Sequence, residues 1–165
     1  MKKIIFVRHG KAEEPAPEIS DFERSLTLKG KIISRIMAQR VMEKEKSPGL
    51  IITSPAFRAL ETAIIFSETF GVEPEKIIMN SRIYYKMNFQ YIPELLALTG
   101  EENNSVMLFG HNPSFTEIAS ILSKEGCDFL PKSGVISISF NVMTWSEIKR
   151  NSGKVEYFLK PEKVL

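Results

Sequence analysis

Residues 4–13 read IIFVRHGKAE. Four apolar, β-favouring residues, Ile4 to Val7, run unbroken into Arg8, His9 and Gly10. A continuous apolar run of this kind predicts a strand buried on both faces, as at the centre of a parallel sheet. Its C-terminal end then carries a guanidinium and an imidazole, at the sheet edge where open α/β folds bind ligands. An unpaired buried charge is costly, so Arg8 directly after that run predicts an anionic partner.

Working outward, residues 12–26 (AEEPAPEISDFERSL) hold two prolines and several acids and predict a mobile loop at the rim. Thr27 is a candidate cap for a helix whose apolar stripe is Ile32, Ile33, Ile36, Met37, Val41 and Met42. After Ser47-Pro48-Gly49, Leu50 to Thr53 predict a second strand. Residues 54–71 (SPAFRALETAIIFSETFG) predict a helix with Ser54 as cap, Pro55 in its first turn and Gly71 at its end. Ile77 to Met79 predict a weak third strand and residues 91–99 a short helix. SVMLFG, residues 105–110, is again a buried strand ending in glycine, and the segment beginning HNPS is a helix. GVISISFNV and VEYFL close the chain as a pair of strands, with antiparallel pairing expected near the C-terminus. Strand and helix alternate, so the fold class expected is α/β: a single-domain, three-layer sandwich over residues 1–165, with a mostly parallel central sheet flanked by helices.

Composition narrows the function classes. The 165 residues are 43% hydrophobic and 25% charged, as in an ordinary globular domain. Basic and acidic side chains number 22 and 20, a net charge of +2, which predicts no nucleic-acid partner. No apolar stretch reaches transmembrane length, so no membrane partner is expected either. The single cysteine, Cys127, excludes an internal disulfide and predicts a cytoplasmic location. Two histidines without clustered carboxylates make a poor metal site, so neither a metal nor another cofactor is expected.

Those two histidines, His9 and His111, each follow a predicted strand and each adjoin a glycine. In a parallel sheet such ends share one edge. Arg58, early in the helix after the second strand, falls near the same edge. Two arginines hold phosphoryl oxygens in bidentate geometry. The start of the HNPS helix offers free N–H groups to an anion. A neutral imidazole is a competent nucleophile at phosphorus. Neighbouring cations disfavour imidazolium and help to keep it so.

The ordered set VRHG (7–10), LTLKGK (26–31), SPAFRALET (54–62) and FGHNPS (109–114) resembles the histidine phosphatase superfamily, with its phosphoglycerate mutase-like fold. The chain is similar to the small SixA-type phosphohistidine phosphatases. The resemblance implies that His9 is transiently phosphorylated. It also implies that Arg8, His9, Arg58 and His111 are catalytic and bind the phosphoryl group or another oxyanion, with Asn112 at the pocket edge. Ser54 and Thr62 match positions expected to give structural support.

Larger members use an acidic proton donor after the third strand. Here residues 80–93 contain no carboxylate, and Glu94 is the first acid beyond them. Glu13, Glu14 and Asp21 in the acidic loop are the other candidates. Phosphohistidine expels an imidazole, whose parent pKa is about 6.5, and so needs no dedicated acid. The expected activity is therefore a metal-independent phosphatase acting on phosphohistidine in a phosphorylated protein. The alternatives are a phosphatase for a small phosphorylated metabolite and a non-catalytic phosphate-binding module of the same fold.

Overall fold

The computed structural model describes residues 1–163; the last two residues of the expected 1–165 domain lie outside them. The strands are β1 (Lys2–Arg8), β2 (Leu50–Thr53), β3 (Ile78–Met79), β4 (Ser105–Gly110), β5 (Val135–Phe140) and β6 (Lys154–Leu159). The α-helices are α1 (Leu28–Met42), α2 (Phe57–Thr69), α3 (Ile92–Ala97) and α4 (Ser114–Leu122). The strands form one six-stranded sheet in the order β3-β2-β4-β1-β5-β6. β1, β2, β3 and β4 pair in parallel, while β5 runs antiparallel to both β1 and β6.

The unbroken apolar runs in β1 and β4 are explained by two cores, one on each face. Ile4, Phe6, Val106 and Leu108 face a cluster with Leu95 and Leu96 of α3, Phe115 and Ile118 of α4, and Trp145. Ile5, Val7, Met107 and Phe109 face Met37, Ala38 and Val41 of α1 and Ala63 and Phe66 of α2. Successive strand residues point to opposite faces, so a strand covered on both sides must be apolar throughout. The sheet is thus the middle layer of a three-layer sandwich. No helix among the described residues is long and apolar enough to cross a membrane.

Three local expectations differ from the structure. Thr27 caps α1 as expected, accepting from Gly30 N at 3.0 Å, but the buried face of α1 is Gly30, Ser34, Met37, Ala38 and Val41. Ile32, Ile36 and Met42 are exposed. Small residues take the buried face because the helix start presses on the chain after β1: a Cβ at Gly30 would stand 2.2 Å from the Lys11 carbonyl oxygen. The helix after β2 begins at Phe57, with Ala56 rather than Ser54 at its cap position. Ser54 is held in the site instead.

The third difference is the acidic loop, which is tied down at several points. Ala12 bridges Leu26, Glu13 N donates to Ser25 O at 2.9 Å, and Phe57 N donates to Phe22 O at 3.0 Å. Leu26 N donates to the Glu61 carboxylate at 2.6 Å. Exposed side chains made the segment read as mobile, whereas its backbone groups find partners on β1's exit and on α2.

Candidate active site

The pairing register creates the site. β1 and β4 run in parallel with Arg8 opposite Gly110, and His9 N donates to Gly110 O at 3.0 Å. The next residue of each strand is a histidine, so the rings of His9 and His111 come together with centroids 5.2 Å apart. β2 ends one position earlier on β4: Thr53 pairs with Phe109, and Ser54 N donates to Phe109 O at 2.9 Å. Ser54 Oγ accordingly lies 2.8 Å from His111 Nε2, while also accepting from Ala56 N at 3.3 Å.

Thr62 ties α2 to the end of β1. Its hydroxyl donates to Arg58 O at 2.7 Å and accepts from Gly10 N at 3.1 Å. Gly10 is required by crowding, because a Cβ there would stand 2.6 Å from Ser34 Oγ. Arg58 is buried in the first turn of α2. Its Nη1 donates to Asp21 O at 2.6 Å and its Nη2 to Asp21 Oδ2 at 3.0 Å. Arg8 Nη1 donates to Leu130 O at 3.1 Å, and its guanidinium stands 5.5 Å from the centre of the Phe129 ring. Asn112 Nδ2 donates to the same Leu130 carbonyl at 2.9 Å, and its Oδ1 accepts from Thr116 at 2.9 Å. Asn112 thus braces the loop that carries Phe129 and Leu130 beside Arg8.

His9 Nδ1 lies 2.7 Å from the Gly10 carbonyl, which can only accept. Nδ1 therefore carries the proton, and Nε2 keeps its lone pair. Burial pulls the His9 pKa down to about 3, against the Gly10 hydrogen bond, with help from His111, Arg58 and Arg8. Burial is also the main cause at His111, whose pKa falls to about 4, with Arg58 and Arg8 lowering it further and Asp21 opposing. Both rings are neutral at pH 7, and desolvation contributes more to this than the cations expected from sequence. Two buried nitrogens of these residues lack hydrogen-bond partners: Arg8 Nε and His111 Nδ1. Buried polar atoms are almost always satisfied, so both nitrogens have hydrogen-bonding capacity left to use.

Of the loop acids offered by the sequence as proton donors, Asp21 is the one held against Arg58. Besides Arg58, its carboxylate takes Arg24 Nη1 at 2.9 Å and the Tyr84 hydroxyl at 3.1 Å. Burial raises the Asp21 pKa, but the hydrogen bonds from Arg24, Arg58 and Tyr84 and the Arg58 charge outweigh it, holding the carboxyl below its ordinary value. Tyr84 packs edge-on against His111 at 5.8 Å, in the segment where larger relatives have their acid. The three-residue spacing of Asp21 and Arg24 was a readable signal; the reach to Arg58 was not. Of the other acids considered, the Glu13 carboxylate accepts from Ser25 N at 3.2 Å, and Glu94 pairs with Arg82 at 3.2 Å. Glu14 is exposed.

No family model matches the chain. An uncharacterized protein of Picosynechococcus sp. is 35% identical over 140 residues, 82% of this chain and 84% of its own. The crystal structure of the putative phosphohistidine phosphatase SixA from Agrobacterium tumefaciens is 26% identical and superposes with a TM-score of 0.77 over 97% of this chain and 99% of that one. The chain is similar to the histidine phosphatase superfamily, and the similarity runs to its SixA members. The fold alone is shared with a protein histidine phosphatase SixA complexed with tungstate, 22% identical with a TM-score of 0.80, covering 96% of this chain and 97% of that one. It is likewise shared with a mycobacterial glucosyl-3-phosphoglycerate phosphatase, solved with VO3, 13% identical with a TM-score of 0.71 over 95% and 98% of the two chains.

Proposed function

We propose that this protein is a metal-independent phosphatase that removes phosphate from phosphohistidine on proteins, by way of a phosphorylated His9. The observation that carries the reading is the state of His9: a buried, neutral imidazole whose proton is committed to Gly10 O, leaving Nε2 as the nucleophile. Nε2 attacks phosphorus, the bond to the substrate nitrogen breaks, and the departing imidazole leaves with its electron pair. Water then attacks phospho-His9, and His9 leaves as the same neutral tautomer.

Arg8, Arg58 and His111 hold the phosphoryl oxygens. If Ser54 donates its hydroxyl proton to His111 Nε2, the His111 proton sits on Nδ1, the buried nitrogen that lacks a partner. A neutral imidazole then acts as a donor to the growing charge at phosphorus, beside Arg8 Nε. Asn112, already bracing Leu130, has one further amide N–H for the pocket edge. In this reading the cationic work falls to Arg8 and Arg58. The similar SixA structures favour an oxyanion in this pocket and a phosphohistidine substrate. A protein substrate is favoured by the exposed aromatic rings beside the site: Phe129 under Arg8 and Tyr85 against Tyr84.

The test is turnover of a phosphohistidine peptide by the wild-type protein and by His9→Ala, both in excess chelator. Wild type is expected to turn over and to show phosphate trapped on His9 after a denaturing quench at alkaline pH, where the phosphorus–nitrogen bond survives; His9→Ala is expected to do neither while still binding inorganic phosphate. Near wild-type activity in His9→Ala, or loss of wild-type activity in chelator with recovery on adding a divalent metal, would overturn the mechanism.

A further inference from the structure

An anion-binding site that keeps an ionised carboxylate at its mouth needs a physical reason. Asp21 Oδ2 is 3.0 Å from Arg58 Nη2, so the negative charge sits on the guanidinium proposed to clamp the phosphoryl group. A phosphate-ester dianion entering there meets like charge. Arg58 does not need this carboxylate for its orientation, because its Nη1 is held independently by the Asp21 backbone carbonyl at 2.6 Å.

The surroundings also exclude the use of Asp21 as a proton donor. The groups that face it are Arg24, Arg58 and the Tyr84 hydroxyl, and all three donate to its oxygens. They stabilise the ionised form, and a carboxylate held ionised has no proton to give an alkoxide. What it can do is accept. A carboxylate oxygen accepts about two hydrogen bonds. Oδ1 has one partner, Arg24 Nη1, and the side chain is 54% exposed. The carboxylate that holds Arg58 through Oδ2 thus keeps an open acceptor position on Oδ1.

We propose that Asp21 contacts the substrate and sets its class: its carboxylate accepts the N–H of the second ring nitrogen of a phosphorylated histidine, selecting phosphoimidazoles over phosphate esters. This rests on the phosphohistidine reading above and names what recognises the leaving group. A phosphohistidine with that nitrogen protonated carries a cationic ring beside an anionic phosphoryl group. The phosphoryl group meets the arginines while the ring N–H meets Asp21, so attraction replaces the repulsion an ester would feel. The chemistry balances without a proton transfer. The bond from phosphorus to His9 Nε2 forms, the bond to the substrate nitrogen breaks, that nitrogen keeps the electron pair, and the N–H held by Asp21 makes the departing ring neutral. Both imidazoles in the transfer then have their second nitrogen held by an acceptor, Gly10 O for His9 and the Asp21 carboxylate for the substrate. Tyr84 fixes the carboxylate from the other side.

The test compares kcat/KM on a phosphohistidine peptide and on p-nitrophenyl phosphate for wild type, Asp21→Asn and Asp21→Glu. Asparagine keeps an oxygen for Arg58 and nearly the same shape but loses the charge. Asp21→Asn is expected to lose tenfold or more on the peptide while gaining severalfold on the aryl phosphate, with tighter inhibition by inorganic phosphate. Asp21→Glu, which keeps the charge, should hold the ratio of the two rates within about threefold of wild type. Equal losses on both substrates in Asp21→Asn would reduce Asp21 to a positioning residue for Arg58 and overturn the proposal, as would no change on either. If wild type turns over the aryl phosphate but not the peptide, the phosphohistidine reading fails and this inference fails with it. If wild type turns over both and only the Asp21 ratio is unmoved, the reading stands and the inference alone is lost.

Discussion

The two neutral histidines make folding stability depend on pH in a window where carboxylates are silent. The perturbation is acidification from pH 7.5 to 5.0. In the unfolded chain both imidazoles titrate near 6.5. In the folded protein burial lowers His9 to about 3 and His111 to about 4. Below 6.5 the unfolded state thus binds two protons that the folded state refuses, and the stability present above 6.5 is lost progressively as pH falls toward 4. Each proton contributes about 1.36 kcal/mol per pH unit, so the pair gives a slope of about 2.7 kcal/mol per unit and a loss of about 4 kcal/mol at pH 5. That is a large share of the roughly 5–15 kcal/mol available to a domain. Asp21, Glu23 and Glu147, held below their ordinary values, add to acid lability only at lower pH, near and below the usual carboxylate range.

The assay is urea unfolding followed by the fluorescence of Trp145, the one tryptophan, which is buried in the core cluster on the α3–α4 face. Buffers must lack phosphate and sulfate, since an oxyanion bound to the folded state would raise stability by mass action. His9→Asn and His111→Asn should each remove about half of the slope. A stability that changes by less than about 1 kcal/mol between pH 7.5 and 5 would refute the reasoning, as would histidine variants that keep the full slope. The same shifts mean that turnover should not fall over this range through protonation of the nucleophile.

Two further outcomes follow from the geometry. Arg58→Ala should lower kcat on the phosphohistidine peptide by on the order of a hundredfold or more while changing phosphate affinity much less, because preorganised donors act most strongly on the transition state; equal effects on rate and affinity in steady-state and binding measurements would count against a transition-state role. Gly30→Ala should lower stability by about 1–3 kcal/mol in the same urea assay, even though alanine is the better helix former, because its Cβ meets the Lys11 carbonyl oxygen at 2.2 Å; an unchanged or raised midpoint would contradict the close packing of α1 on the exit from β1.

The strands of this fold were legible because a two-sided sheet writes itself as unbroken apolar runs, and β1 and β4 each end where those runs end. The site's nucleus was legible for the same reason: Arg8 ends β1, His9 and His111 are the first residues after β1 and β4, and parallel pairing brings such positions together. The buried face of α1 was not legible. Close approach there selects Gly30 and Ser34 over isoleucine, and hydrophobic periodicity carries no information about how near a helix lies. Asp21 was legible only as one of three candidate acids in its loop; nothing local to residues 12–26 encodes that Phe22 O receives Phe57 N and so carries Asp21 onto Arg58. Ser54 was assigned to helix capping by its spacing, but parallel pairing of β2 with β4 turned it to His111 instead.

The same burial that favours the nucleophile limits what the site can expel. Desolvation keeps His9 unprotonated, and it also keeps His111 neutral, so neither imidazole is charged at pH 7 and ready to protonate a leaving group. Tyr84 cannot substitute, because burial and its hydrogen bond to Asp21 push its pKa above the ordinary phenol value. Asp21 is ionised, and Glu94 is engaged by Arg82. His9, His111, Asp21 and Tyr84 are thus each in a proton-accepting form or hold the proton tightly. Such a site is suited to a leaving group that needs no proton from the enzyme, and an imidazole already protonated on its second nitrogen meets that condition where an alkoxide does not.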